Sequence, residues 1–288
     1  MNISVDIVCP VYNNYNQVVG LFNSFKEQKN ISINNIVFPL TDAENDETKN
    51  IESFLKENNI KYWKLKKNEF SHSLTREKAI RDYCKSKIVV LMSQDIKLLN
   101  ENSIYNLVKD IESGETVYNY GRQICSNYSL ERYIRKKNYP KESYIVEKKD
   151  IESMQLMTFF ASDAFSALNR DVFLEVGGYN NYDVMMNEDQ LYSYIILNKG
   201  YKKKYCADAI VVHSHKYTIK QLYKRYYETG VFYKNIKLFD NYKSTNTGLK
   251  LAIYVFFQAL FHLNIPALIR WLPDMAARYL GMKKGKSD

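Results

Sequence analysis

The sequence predicts an α/β protein with a mixed, mostly parallel sheet flanked by helices. Short apolar segments, such as residues 3–9 and 87–93, have the length and composition of buried strands. Segments with apolar residues at helical spacing separate them. Strands that alternate with helices in this way form βαβ units with parallel strands. Because ligands bind such sheets at the carboxyl ends of the strands, polar residues there are candidates for a site.

The elements of the N-terminal part follow from the same periodicities. The segment at 36–41 contains Pro39, which lacks a backbone N–H and therefore predicts an edge or bulged strand. Ser71 or Ser73 is the expected N-cap of the third helix. In chain order we predict a strand at 3–9, a helix at 18–25, a strand at 36–41, a helix around 51–55, a strand at 60–65, a helix at 73–85 and a strand at 87–93.

The C-terminal part is predicted to be helical, after a less regular stretch at 114–157. We expect two domains, residues 1–240 and an amphipathic helical extension at 241–288. Residues 249–272 are the most apolar run, but polar residues interrupt it too often for a membrane span. It forms either a helix in the membrane interface or a helical hairpin that packs on the domain or on a second subunit of a homodimer.

Composition and charge limit the possible partners. The net charge of +9 favours polyanions, such as nucleic acid, an anionic lipid surface or a phosphorylated substrate. The sequence has no helix-turn-helix, RNP or zinc-finger pattern, so we expect no nucleic-acid partner. Its four cysteines form no CxxC pair, which argues against a zinc site or a disulfide framework. No basic region followed by an apolar run opens the sequence, so we predict no signal peptide and a cytosolic active part.

Polar residues follow three of the predicted strands. Pro10 to Asn14 form the loop after the first strand and offer Tyr12 and backbone groups to a nucleoside. Asp42 follows the second strand, where a carboxylate can accept the imide N–H of uracil or thymine. Gln94 and Asp95 follow the strand at 87–93, and Mg²⁺ or Mn²⁺ bound with a diphosphate prefers such carboxylate oxygens. Taken singly, each loop is also explained by an ordinary turn or cap.

Charged residues at two predicted helix starts add further chemistry. Arg76 lies at the start of a helix, which favours phosphate binding. Glu188 and Asp189 open another helix, where Asp189 is our candidate base and Glu188 its neighbour in an acceptor site. Acidic residues at a helix start also stabilise the helix dipole without any catalytic role.

Two histidines end the apolar strand at 209–215. His213 and His215 point to the same side of that strand, so the pattern does not rank them. Either imidazole is able to complete a metal shell with Asp95.

These motifs together resemble family 2 glycosyltransferases of the GT-A fold. The segments are CPVYNN, TDAENDET, LMSQD, FFASDAFSALNRDVFLEVGGY, NEDQ and VVHSH, in the family's order over roughly residues 3–230. The likeness is closer to bacterial rhamnosyltransferases, which tend to carry His-x-x-Thr-Arg, here from His72, and Gln-Asp, here at Gln94. Ser93 departs from the wider family, which usually has an acid at that position.

The resemblance implies a role for each matching residue. Asp95 and His213 would bind a divalent ion, Mg²⁺ or Mn²⁺, and Asp189 would be the catalytic base. Asp163 would face the acceptor or donor sugar, and Glu188 would lie in the acceptor site. Residues implied to contact the nucleotide are Pro10, Tyr12, Asn13, Asp42, Arg76 and Gln94.

The function implied is metal-dependent, inverting transfer of a sugar from a nucleotide donor. The resemblance favours L-rhamnose from dTDP-rhamnose, or a related dTDP- or UDP-sugar, and a lipid-linked or growing cell-surface polysaccharide as acceptor. The enzyme would then be cytoplasmic and peripheral at the inner face of the cell membrane. An alternative is a non-catalytic partner subunit of the same fold that binds a nucleotide sugar or glycan without turnover.

Overall fold

The computed structural model describes residues 2–242 and 247–288, which divide into two compact units. The first unit comprises Met1–Gln123, Lys141–Lys148 and Phe159–Val212. The second comprises Ile124–Pro140, Lys149–Thr158 and His213–Asp288. The second unit therefore contains the predicted extension at 241–288 together with earlier segments, and the predicted boundary at residue 240 stays a prediction.

Strands and helices alternate through most of the first unit, as predicted. The strands are β1 (Ile3–Val8), β2 (Ile31–Val37), β3 (Leu40–Asp42), β4 (Lys64–Lys66), β5 (Ile88–Met92), β6 (Ile96–Leu98), β7 (Tyr118–Ile124), β8 (Tyr144–Val146), β9 (Phe165–Asn169) and β10 (Lys203–His213). The helices are α1 (Tyr15–Phe25), α2 (Asp46–Glu57), α3 (His72–Lys78), α4 (Ser103–Glu112), α5 (Leu130–Asn138), α6 (Ile151–Met154), α7 (Arg170–Glu175), α8 (Glu188–Asn198), α9 (Ile219–Asn235), α10 (Thr247–Phe261) and α11 (Ile265–Ser287).

One mixed sheet organises these elements. Its strand order is β2-β1-β5-β9-β7-β10-β6, and β8 pairs with β10. β1 runs parallel to both β2 and β5, whereas β9 runs antiparallel to β5 and β7. The predicted α/β class, with a mixed sheet flanked by helices, is confirmed. The carboxyl ends of the parallel strands β1 and β5 lie side by side, since Val8 pairs with Leu91.

The prediction of a single strand at 36–41 is wrong. β2 ends at Val37, and after Pro39 the chain enters β3, which pairs in parallel with β4 in a separate two-stranded sheet. Pro39 lacks the N–H that a continuous ladder needs, which accounts for the break. β2 itself begins at Ile31, earlier than predicted, because polar residues in ISINNIV hid its pattern.

The helix predicted at 73–85 is two segments. α3 begins at His72 and is capped by Ser71, whose hydroxyl accepts a hydrogen bond from the Leu74 N–H at 3.1 Å. Ser73, the other candidate, is buried and donates instead to the carbonyl of Tyr182 at 2.7 Å. A π-helical turn at Ala79–Tyr83 continues α3. The predicted strand at 60–65 is reduced to β4.

The second unit is helical from α9 onward, as predicted. α9 and α11 approach closely, because Gly281 and Gly285 of α11 face the backbone of α9 without an intervening side chain. The apolar run at 249–272 forms two helices, α10 and α11, around a break at residues 262–264. None of the helices in residues 2–242 and 247–288 combines the length and apolar composition that crossing a bilayer requires.

Candidate active site

A pocket of about 450 Å³ opens at the carboxyl ends of β1, β3 and β5 in the first unit. Five of the predicted site residues line it, and Asp95 is the one carboxylate among the lining residues. The lining residues are Pro10, Val11, Tyr12, Gln17, Thr41, Lys67, Phe70, His72, Arg76, Met92, Ser93, Gln94, Asp95 and Met185. The pocket brings together Pro10, Tyr12, Gln94 and Asp95 from loops at strand ends and Arg76 from α3, and their roles stay predictions.

The side-chain amide of Gln94 holds the Tyr12 loop in place. The Tyr12 N–H donates to Oε1 of Gln94 at 2.7 Å, and Nε2 of Gln94 donates to the Tyr12 carbonyl at 2.9 Å. The side-chain amide of Gln94 thus bonds both the N–H and the carbonyl of Tyr12, as a paired β-strand residue would, although the two residues are 82 positions apart. The Tyr12 ring remains partly exposed over the pocket, and the ammonium of Lys67 lies 5.9 Å from its centroid. The ring is therefore free to stack on a flat ligand group, with a cation beside it.

Two residues predicted to contact the nucleotide lie beside the pocket rather than in its lining. Asn13 has a φ of 51°, and its side-chain oxygen accepts from Nδ2 of Asn45 at 3.1 Å. Asp42 accepts from the Glu44 N–H at 2.8 Å, and its other oxygen lies 3.7 Å from Lys64. Its neighbour Thr41 does line the pocket. Nucleotide contact by Asn13 and Asp42 stays a prediction.

Arg76, one of the lining residues, belongs to a buried ion pair. Arg76 is 2% exposed, and its Nη1 donates to Oε1 of Glu188 and lies 3.0 Å from Nδ1 of His72. Its Nη2 donates to the Asp163 carbonyl at 3.3 Å. Burial by itself lowers the pKa of Arg76, but the negative charges of Glu188 and Asp163 outweigh burial and raise that pKa above its ordinary value. Arg76 is therefore a permanent cation held against the pocket.

Asp189, the predicted base, lies in the first turn of α8 as the sequence indicated. Its Oδ1 accepts from the Gln190 N–H at 2.7 Å, and its Oδ2 accepts from the Asp163 N–H at 3.4 Å. Desolvation, followed by the charges of Glu188 and Asp163, raises the pKa of Asp189 well above its ordinary value. Asp189 keeps part of its surface open to solvent, whereas Glu188 is buried. A carboxylate whose pKa is raised by desolvation is suited to accept a proton.

Asp163 lies just before β9 and is 2% exposed. Three hydroxyls surround its carboxylate: Tyr118 at 2.7 Å, Ser166 at 2.5 Å and Tyr179 at 3.2 Å. The carboxylate of Asp163 is thus hydrogen-bonded to protein hydroxyls, and the carboxylate of Glu188 is paired with Arg76. The predicted contact of Asp163 and Glu188 with sugars stays a prediction.

The two histidines of the strand end belong to the second unit. β10 ends at His213, and the rings of His213 and His215 lie 4.3 Å apart between centroids. This contact between the two rings agrees with the expectation that both histidines point to the same side of the strand. Asp95 belongs to the first unit, so the joint binding of a metal by Asp95 and His213 stays a prediction.

Nine of the lining residues were not predicted as site residues, among them Gln17, Thr41, Lys67 and Met185. Lys67 follows β4 directly, and β4 is parallel to β3. Because polar residues at the ends of parallel strands are candidates for a site, the sequence could have indicated Lys67. Met185 had no such signal, because it lies in an irregular segment that only the tertiary fold brings to the pocket.

Comparison with known sequences identifies the family. Residues 6–177, more than half of the chain, match Glycosyl transferase family 2. The chain belongs to this family. It is 32% identical over 236 residues to the O-antigen chain rhamnosyltransferase WbaN of Salmonella anatum, a match that covers 80% of this chain and 72% of the relative. It is 30% identical over 231 residues to the O-antigen chain rhamnosyltransferase RfbN of Salmonella typhimurium, with the same two coverages.

Two solved structures share the fold. The mannosyltransferase PcManGT from Pyrobaculum calidifontis, in complex with GDP-Man and Mn²⁺, matches with a TM-score of 0.61 at 13% identity, over 99% of this chain and 87% of that one. TarS 1-349 of S. aureus in complex with UDP-GlcNAc matches with a TM-score of 0.57 at 12% identity, over 98% and 91%. The protein is therefore a glycosyltransferase with a GT-A fold, close in sequence to bacterial rhamnosyltransferases.

Proposed function

We propose that this glycosyltransferase moves a sugar from a nucleotide donor to an acceptor hydroxyl in one inverting displacement, with Asp189 as the base. The observation that carries the proposal is the difference in access among three neighbouring acids. Asp163 and Glu188 are buried, whereas Asp189 is half-buried, and the pKa of Asp189 is raised well above its ordinary value. We assign the incoming hydroxyl to Asp189 because it is the least buried of the three. A raised pKa makes its carboxylate a stronger base.

The bond changes in this step are simple. The acceptor oxygen attacks the anomeric carbon as Asp189 takes the hydroxyl proton, and the bond from that carbon to the diphosphate oxygen breaks. The departing diphosphate carries the electron pair. The fixed cation Arg76 and the neighbouring Lys67 line the pocket where this negative charge develops, which lowers the barrier electrostatically.

A divalent ion fits the donor atoms of this site. Asp95 is the one acid of the pocket lining, and Mg²⁺ or Mn²⁺ often binds through one or two carboxylates together with substrate phosphates. We propose Asp95 and His213 as the protein ligands. When bound, the ion would neutralise charge on the leaving diphosphate.

We propose dTDP-L-rhamnose as the donor and a lipid-linked or growing cell-surface polysaccharide as the acceptor. The support is the sequence similarity to two O-antigen chain rhamnosyltransferases. The fold does not select a nucleotide, because its structural neighbours are bound to GDP-Man and UDP-GlcNAc.

A donor screen tests this proposal. The purified protein is incubated with Mn²⁺ and a panel of dTDP-, UDP- and GDP-sugars, and nucleotide release is measured with and without an O-antigen acceptor fraction. We expect release from dTDP-rhamnose, stimulated by acceptor and abolished by a chelator. Release from a different donor would overturn the assignment of rhamnose. Unchanged nucleotide release in the presence of the chelator would overturn the proposal that the reaction depends on a divalent ion.

We further propose that the second unit attaches the enzyme to the cytoplasmic face of the cell membrane. One side of α10 packs on α5 and α11 through residues such as Val255 and Ala259. The other side carries exposed apolar side chains, and we call it the bare face. Phe261 is 82% exposed and Leu263 77% exposed at the turn between α10 and α11. The large exposed apolar side chains of this face are Leu249, Ile253, Phe257, Leu260, Phe261, Leu263, Ile265, Ile269 and Leu272.

Charge favours lipid over a second copy of the chain as the partner. Residues 241–273 contain no Asp or Glu, so the bare face has no acid. Lys136 and Lys137 of α5 lie beside α10, in contact with Gln258 and with the ring of Tyr254. A homodimer through this face would bring cations together, whereas an anionic lipid surface attracts them and receives the apolar side chains.

Vesicle binding tests the membrane proposal. We expect the protein to sediment with vesicles containing phosphatidylglycerol, less so at high salt, and weakly with phosphatidylcholine alone. The double variant Phe261→Glu, Leu263→Glu should lose at least about tenfold in binding, since each side chain contributes more than ~1 kcal/mol when buried. Leu99→Glu, an exposed leucine of the first unit, is the matched control. A wild-type dimer that the double variant converts to a monomer would instead identify the face as a subunit interface.

A further inference from the structure

A set of buried charged groups surrounds Asp189, and the proposed chemistry does not use all of them. Glu188 adjoins it in α8, Arg76 comes from α3, and Asp163 precedes β9. Lys203 of β10 is fully buried, and its Nζ donates to the Phe160 carbonyl at 2.7 Å and to Ser193 at 3.1 Å. The titratable and charged groups that face Asp189 are Arg76, Tyr118, Asp163, Glu188 and Lys203.

Three hydroxyl groups hold the Asp163 side chain in place. Tyr118 and Ser166 both donate to its Oδ1, and Tyr179 donates to its Oδ2. Burial raises the pKa of Asp163 above its ordinary value, while the Arg76 cation and the hydrogen bonds from Ser166 and Tyr118 act in the opposite direction. Two of the three hydroxyl donors are large buried tyrosines with little freedom to move. The carboxyl group of Asp163 is therefore held at a fixed place, and its hydroxyl donors and Arg76 favour its charged form.

The backbone of the same residue contacts the base. The Asp163 N–H donates to Oδ2 of Asp189 at 3.4 Å. The Phe160 carbonyl, three residues earlier, is held by Lys203, which also reaches Ser193, one turn beyond Asp189 in α8. The segment 160–163 and the start of α8 are thus joined at two points.

We propose that Asp163 is a positioning residue for the transfer reaction, which orients the Asp189 carboxylate through its N–H and keeps it basic through its own fixed charge. This inference rests on the proposed function of Asp189 as the base. Asp163 does not touch substrate in this role. Its effect is electrostatic: a second negative charge close by opposes any loss of the proton from Asp189, so the carboxylate, once ionised, accepts a proton more readily.

The test is the pH dependence of kcat/KM for wild type and Asp163→Asn. Asparagine keeps the shape and the backbone N–H but removes the charge. A base with a raised pKa loses activity as the pH falls through that pKa, so the acidic limb of wild type should lie above that of the variant. We expect the limb of Asp163→Asn to move to lower pH by about one unit. The plateau kcat should fall by about threefold to tenfold because the base is weaker, with KM for donor and acceptor unchanged.

Tyr179→Phe is the matched variant. It removes one hydrogen bond from the Asp163 carboxylate but no charge, so it should lower the melting temperature without moving the acidic limb. An equal limb shift in both variants would assign the effect to disturbed packing and overturn the proposal. A raised acceptor KM in Asp163→Asn with an unmoved limb would instead assign Asp163 to sugar binding.

The inference and the proposed function fail in distinguishable ways. If Asp189→Asn retains turnover, Asp189 is not the base, and the proposed mechanism fails with the inference. If Asp189→Asn is inactive while the limb of Asp163→Asn stays in place, only the role of Asp163 is lost.

Discussion

The two parts of the chain differ sharply in how they use charge. Residues 1–212 contain 28 Lys and Arg against 28 Asp and Glu, whereas residues 213–288 contain 13 against four. The entire net charge of +9 therefore comes from the C-terminal quarter. In the first unit, charges such as Arg76 and Glu188 are buried and paired around the active site.

The second unit holds its helices together differently. α9 and α11 meet through glycines at close backbone approach, and many of its charged side chains are exposed beside a bare apolar face. The excess of positive charge therefore lies outside the residues that line the pocket, as the proposed membrane contact would require. Variants in each part should therefore fail in different ways.

The largest effect is expected for Asp189→Asn in the first unit. Loss of the base should lower kcat by at least about 100-fold while donor binding is retained, since the shape of the side chain is kept. Nucleotide release and calorimetric donor binding measure the two quantities. Asp171→Asn is the control, because Asp171 is an exposed acid in the first turn of α7. Near-normal turnover in Asp189→Asn would remove Asp189 from the mechanism.

Glu188→Gln should destabilise the protein more than any surface charge variant. It leaves the buried Arg76 cation without its anionic partner, a change that costs about 3–5 kcal/mol. Denaturant unfolding measures the free energy of unfolding. Glu101→Gln breaks the exposed pair with Lys29 and should cost less than about 1 kcal/mol. Equal losses in the two variants would show that the Arg76–Glu188 pair does not govern stability.

Two glycine variants compare the packing of the two units. In α11, a Cβ on Gly285 would collide with the backbone of Tyr227 and Val231 in α9, so Gly285→Ala should lower the free energy of unfolding by about 1–3 kcal/mol. In α1, Gly20 has no neighbouring atom within 4 Å, and Gly20→Ala should raise it by about 0.5–1 kcal/mol. Effects of the same sign would contradict the close helix contact.

Much of the fold was predictable because its signals are local. The mostly apolar residues of β1, the continuous apolar run of β5, the Ser71 cap and the acidic start of α8 each depend on neighbours a few residues away. The break at Pro39 was foreseen only in part. The sequence indicated an irregular strand, but not that β3 would leave the main sheet to pair with β4.

The sequence by itself determined the family, the alternation of strands and helices in the N-terminal part, and the identity of polar residues at several strand ends. Only the tertiary structure decided which of these residues contact one another: Gln94 with the Tyr12 backbone across 82 positions, and Arg76 with Glu188 across 112. It also decided that Asp163 is buried while Asp189 remains accessible. The physical reason is that periodicity and capping are short-range, whereas desolvation of a charge depends on groups that distant segments bring to it.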